Sequence, residues 1–221
     1  MHDAARLRLR ELTQGVYDIG DEVAELIENL AEAMADWDGE LVDDCLLELS
    51  EAVAQGRPEV RAALAELNGL RQAFVSGIRS GSLSATTVVD NHPGRTLSFL
   101  RDHAVTPVEA APAPMVSTAT LRVNLRRRNA ELTDMLEDLA EWTVEQTRLA
   151  VEEQSVLLPQ SLARAEKHAR EVVAQWRATV VGEHPALVAE LRGEAPPRFL
   201  AERARVEQVL SKIRSRRVAA G

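Results

Sequence analysis

At 221 residues with 45% hydrophobic but only 3% aromatic content, the chain can bury a real core, built from Leu, Val, Ala and Ile rather than rings. A net charge of −9 and few aromatic stacking surfaces argue against a nucleic-acid-binding domain of ordinary type. Nowhere do 18 apolar residues run together, which excludes a membrane-spanning helix. The dominance of Ala, Leu, Glu and Arg, with β-branched clusters nearly absent, predicts an all-α protein. The single cysteine, Cys45, has no partner for an intramolecular disulfide and reads as a reduced core thiol. No apolar run follows Met1, so no signal peptide is expected, and the chain is placed in the cytoplasm. Basic residues are 24 Arg against 2 Lys, which suggests the codon bias of a GC-rich bacterial genome.

In chain order, the first helix carries Leu12, Val16, Ile19, Val23, Leu26, Leu30, Ala33 and Trp37 at alternating spacings of 4 and 3, a 3.5-residue seam. Gly15 and Gly20 weaken it, and Asp38-Gly39 ends it. A second helix follows with Val42, Cys45, Leu46, Leu49 and Val53, and is expected to stop at Gln55-Gly56-Arg57. Pro58 suits the first turn of a third helix, through Val60, Leu64, Leu67, Phe74 and Ile78. Residues 1–78 thus read as an acidic three-helix segment. From Glu11 to Gly56 there are 14 acidic residues and no Lys or Arg.

Residues 79–118 read as a linker punctuated by Gly and Pro, with one strand-like run at Ala85–Val89 and a possible short helix near Thr96–His103. Residues 119–221 form the second helical segment. A long helix from Thr120 to Leu157 shows a seam of Leu121, Leu125, Leu132, Met135, Leu139, Trp142, Gln146, Leu149 and Val156. A helix that long needs partners along its length, which points to self-association or a larger complex. Pro159 kinks it or opens the next helix, with Leu162, Ala165, Ala169, Val172, Trp176 and Thr179. Gly182 and Pro185 break that one, and a short helix follows around Leu187–Leu191. The last helix is basic, with seven Lys or Arg between Arg198 and Arg217 against Glu202 and Glu207. The whole reads as two helical, coiled-coil-like segments joined by an irregular linker.

Motif chemistry is sparse. There is no Gly-rich phosphate loop, no Gly-x-Gly-x-x-Gly turn, no Cys-x-x-Cys pair, and neither His-x-x-x-His nor Glu-x-x-His. No metal site and no cofactor are therefore expected. His168 reads as a helix-surface residue. The acidic residues Asp21, Glu22, Glu25, Glu28 and Glu32 are candidates for docking a basic partner. The nearest one is the C-terminal helix with Arg203, Arg205 and Lys212. Arg122, Arg126, Arg127 and Arg128 sit where cations oppose the helix dipole, so a compensating anion is expected there, from a partner's acidic face or a nucleic-acid backbone.

Arg177 and His184 supply the one catalytic candidate. Their spacing resembles the Arg-x(4–6)-His motif of HEPN-fold ribonucleases, which are helical and usually dimeric. The resemblance covers these two positions. It departs from the pattern at Ala178, where a polar residue is usual, and at Gly182. The leading expectation is a non-enzymatic helical interaction subunit, an adaptor or scaffold. The alternatives are a nucleic-acid-associated subunit using residues 122–128 and 198–217, and a HEPN-like ribonuclease.

Overall fold

The computed structural model describes residues 2–79, 117–182, 184–193 and 209. Within them every regular element is a helix: α1 (His2–Ala35), α2 (Gly39–Arg79), α3 (Thr118–Glu152), α4 (Leu158–Trp176), a π-helical turn (Arg177–Val181) and α5 (Pro185–Gly193). The expected linker strand and short helix, and nearly all of the expected C-terminal helix, lie outside the described residues.

Helix α1 buries the seam read from its periodicity: Leu12, Val16, Val23, Leu26, Leu30, Ala33 and Trp37 are all in the core. The turn that caps it contains Trp37, whose φ of 59° is left-handed. Around that residue Asp38 N–H donates to the Ala33 carbonyl at 3.0 Å and Trp37 N–H to that of Met34 at 3.1 Å. This doubly bonded C-terminal cap normally carries glycine at the left-handed position. Here a Trp ring buried to 9% exposure occupies it, so packing outweighs a backbone cost of about 1–3 kcal/mol. Asp38 then caps α2: its Oδ1 accepts the N–H of Leu41 at 3.3 Å.

Helix α2 corrects the expected boundary. It runs unbroken through Gly56 and Pro58. Val42, Cys45, Leu49, Val53, Gly56, Val60, Leu64 and Leu67 are all buried and keep one helical register. Gly56 is a packing residue here, because a Cβ would lie 2.5 Å from the Ile19 Cγ2 methyl. Gly20 serves α1 the same way against α3: its Cβ would meet Thr147 Oγ1 at 2.1 Å and Thr147 Cβ at 2.7 Å. Neither glycine marks a helix end.

Helices α1 and α2 pack as a hairpin, α3 packs on α1, and α4 closes the square against α2 and α3. Every side of the square is antiparallel. Gly20 faces Thr147 while Met34 meets Asn129, and Arg57, Ser50 and Asp43 on α2 meet Pro159, Arg170 and Arg177 in turn. The order is up, down, down, up, so Arg79 and Ser117 lie at opposite ends of a bundle about 50 Å long. The long helix α3 thus finds neighbours within its own chain, and its length no longer argues for self-association.

The seam of α3 is wider than predicted, because it faces both α1 and α4. Leu136, Asn129, Thr133, Thr143 and Thr147 are buried along with Leu125, Leu132, Leu139, Trp142 and Gln146. Met135 and Leu149 are half-buried, and Val156 lies past the helix end, 61% exposed. Thr133, Thr143 and Thr147 donate to carbonyls of their own helix, whereas Asn129 is bonded across helices. Asn129 donates its amide to the Met34 carbonyl at 3.2 Å and accepts the Trp176 indole N–H at 2.6 Å. Pro159 opens α4 rather than kinking α3.

Candidate interaction surface

The antiparallel register of α1 and α3 sets two rows of carboxylates side by side. On α1 the outward stripe is Asp18, Asp21, Glu25 and Glu28, all exposed. On α3 the matching outward residues are Asp134, Glu137, Asp138 and Glu141, also exposed. The contacts at Gly20–Thr147 and Met34–Asn129 place Glu28 level with Glu137, and Glu25 with Glu141. Between Asn129 and Thr147 the sequence has no Lys or Arg, and none lies between Glu11 and Gly56. The row is closed off by ion pairs at its two ends. Arg148 binds Glu145 at 2.7 Å and also Glu152, while Arg128 and Arg127 reach Glu131 at 3.1 and 3.8 Å.

The electrostatic signature is self-repulsion. Partial burial, then the charges of Asp134, Asp138, Glu28 and Glu141, push the Glu137 carboxyl above its ordinary range. Burial, then Asp18, raises Asp21 in the same sense. By contrast the hydrogen bond from Arg148 holds Glu145 below that range. Of the acidic candidates, Asp21, Glu25 and Glu28 lie on this face, exposed, and Glu22 and Glu32 flank it half-buried. Their counterparts on α3 escaped the sequence reading. Arg203, Arg205 and Lys212 lie outside the described residues.

The remaining candidates are dispersed. Arg122 is held by Glu190 of α5, and Arg127 and Arg128 both reach Glu131; Arg126 and Arg127 are exposed. Arg177 reaches across to Asp43 on α2. His184 is half-buried and opens α5, its carbonyl accepting the Val188 N–H at 3.0 Å. From Arg177 to Val181 the chain makes a π-helical turn, closed by the Gly182 N–H on the Arg177 carbonyl at 2.7 Å. A Cβ at Gly182 would lie 2.8 Å from that carbonyl, so glycine is needed for the closure.

His168 corrects the surface reading. It is buried to 6% exposure, with Nδ1 3.7 Å from the Glu171 carboxylate. Among the described residues no three His, Cys, Asp or Glu side chains are placed to hold a metal ion, and no helix is long and apolar enough to cross a membrane. Asp38 is a buried acid that sequence reasoning missed: fully enclosed, it pairs through Oδ2 with Arg192 at 2.9 Å while capping α2. Comparison with protein families, curated proteins and solved structures finds no match to this chain.

Proposed function

We propose that this protein is a non-enzymatic helical interaction subunit, an adaptor or scaffold, whose working surface is the acidic α1–α3 face and whose partner presents a basic surface. One observation carries the reading: eight exposed carboxylates on two adjacent helices, with Glu28 raising the Glu137 carboxyl across the pair and cations held to the ends of the face. Like charges so arranged destabilise the free bundle slightly and are relieved by an incoming cation-rich partner. They also favour fast, salt-sensitive association over high intrinsic affinity. The other charged candidates support it indirectly, since Arg122, Arg128 and Arg177 are engaged in contacts within the fold.

The test is affinity capture with the full chain and with a variant carrying Glu25→Gln, Glu28→Gln and Glu137→Gln, followed by reconstitution with the purified candidate. A partner retained by the first, lost by the second and released by moderate salt is the expected result. A captured set that ignores both the substitutions and salt overturns the reading. Exposed Arg126 and Arg127 favour one second reading, a nucleic-acid-associated subunit. A salt-dependent gel shift abolished by Arg126→Glu and Arg127→Glu would establish that instead.

A further inference from the structure

One face of the α1–α2 hairpin is closed although neither α3 nor α4 lies on it. Gly20 of α1 packs on α3, and Asn29, nine residues on, is turned about 180° from it. Ser50 of α2 meets α4 at Arg170, and Glu48, two residues back, is turned about 160° from it. Asn29 and Glu48 therefore point to the side of the hairpin away from both helices. The contacts Arg8–Glu66 and Ile19–Gly56 set them near the same level. Both are nonetheless enclosed, at 3% and 5% exposure, with Ala52 at 6% beside them. Helix α5 sits at the closed end of the hairpin, where Arg192 holds Asp38, ten residues or about 15 Å from Glu48.

The closed face is a polar groove. Asn29 Nδ2 is enclosed there without an acceptor, so the groove suits a group that offers one. Glu22 and Asp36, seven residues to either side of Asn29, share its face. Each of them, like Glu48, is engaged in a polar or electrostatic contact. One residue outside the five helices has an anchored position. Val209 is helical and packs half-buried against the core. Around it the sequence sets Val206 and Ile213 with Arg205 and Lys212, at the spacings of one helical face. Residues 80–116, by contrast, hold two cations against three anions and offer no such match to an acidic groove. Val209 follows Gly193 by sixteen residues, which even as helix span about 24 Å.

We infer that Val209 anchors an added helical contact in the outer α1–α2 groove, where the cations beside it answer Glu22, Asp36 and Glu48. The contact completes the core on a side that no other helix covers. It stands apart from the acidic α1–α3 face, which it leaves open to an outside partner. It also withdraws Arg205 and Lys212 from any nucleic-acid surface.

The experiment uses the full chain with isotope-labelled valine methyls and a nitroxide attached at Gln55→Cys, an exposed position on the rim of the groove. Cys45 is fully buried and does not compete for the label. The Val209 methyl signals, assigned through Val209→Ile, are expected to be lost and to return when the nitroxide is reduced. The same label at Arg164→Cys, an exposed position of α4 facing away from α2, should leave them sharp. Signals that stay sharp with the label at position 55, in a chain of unchanged helicity by circular dichroism, overturn the inference. Loss with the label at position 164 alone overturns it as well. The loss at position 55 should persist when the sample is diluted with excess unlabelled, unmodified chain. Recovery on dilution would place Val209 on a second copy and overturn the intramolecular contact.

Discussion

Asn129 and Trp176 are joined by a buried hydrogen bond of 2.6 Å, and the same Asn129 amide grips the Met34 carbonyl at the end of α1. One side chain on α3 thus ties three helices at the end of the bundle where α1 turns into α2. Asn129→Leu leaves the indole N–H enclosed without an acceptor. It should destabilise the protein by about 2–3 kcal/mol, since each buried group left unsatisfied costs about 1–3 kcal/mol. Urea denaturation would show this as a lower midpoint with an unchanged slope.

Gly20 against Thr147 gives a sharper test, because helix propensity and packing predict opposite signs. Alanine in a helix interior is favoured over glycine by about 1 kcal/mol. Yet a Cβ at position 20 would lie 2.7 Å from Thr147 Cβ, which cannot swing away as a long side chain would. Gly20→Ala should therefore lower stability by about 1–3 kcal/mol. Gly15→Ala, where nothing lies within 4 Å, should raise it by about 0.5–1 kcal/mol. Thermal melts of the two variants side by side would decide.

These glycines also show where sequence reading stops. The seam of α1 was legible because every position from Leu12 to Trp37 at 3.5-residue spacing faces the same neighbours. Gly56 and Pro58 were misread as a boundary because composition signals a break whether or not the chain turns there. The unbroken register from Val42 to Leu67 was the better signal. On α3 the apolar pattern missed Asn129, Thr143 and Thr147, whose burial depends on bonds to Met34, Trp176 and carbonyls of their own helix. Half of the acidic face was visible as the cation-free run on α1. The other half is interleaved with the α3 core positions, and only the antiparallel register brings Glu137 to Glu28.

The pH dependence follows from that juxtaposition. The Glu137 pKa is raised in the folded state, so folding favours its protonated form. The stability linked to it is fully present below the ordinary Glu range and is lost as pH rises through the raised value. Glu137→Gln should therefore stabilise the protein at neutral pH by a few tenths of a kcal/mol, the usual size of an exposed like-charge term. The advantage should vanish by about pH 4. Melting temperatures of both proteins from pH 4 to 8 would reveal an advantage that grows with pH; a constant difference would contradict it.

Asp38 carries two separable roles. Asp38→Asn keeps an oxygen for the Leu41 N–H but surrenders the ion pair with Arg192. Since Arg192 is 43% exposed, that loss should be about 1 kcal/mol or less. Asp38→Ala removes the cap as well and should cost about 1 kcal/mol more. Hydrogen exchange at the first turn of α2 should speed up in the Ala variant and stay near normal in the Asn variant. Equal acceleration in both would mean that the charge, and not the cap, holds the turn.

The opposed ends of α2 and α3 bear on how the chain reaches this structure. The α1–α2 hairpin closes through a three-residue corner at Asp36–Asp38, whereas Gly20 and Thr147 meet across more than a hundred intervening positions. Local closure is fast and long-range closure slow, and the hairpin leaves the ribosome before α3 does. A nascent hairpin would wait with the α3-facing side of α1, including Ala24, Ala31 and Met34, open to water. During that interval the charge of its acidic outer stripe, whatever its later use, works as a solubilising coat on a half-assembled fold.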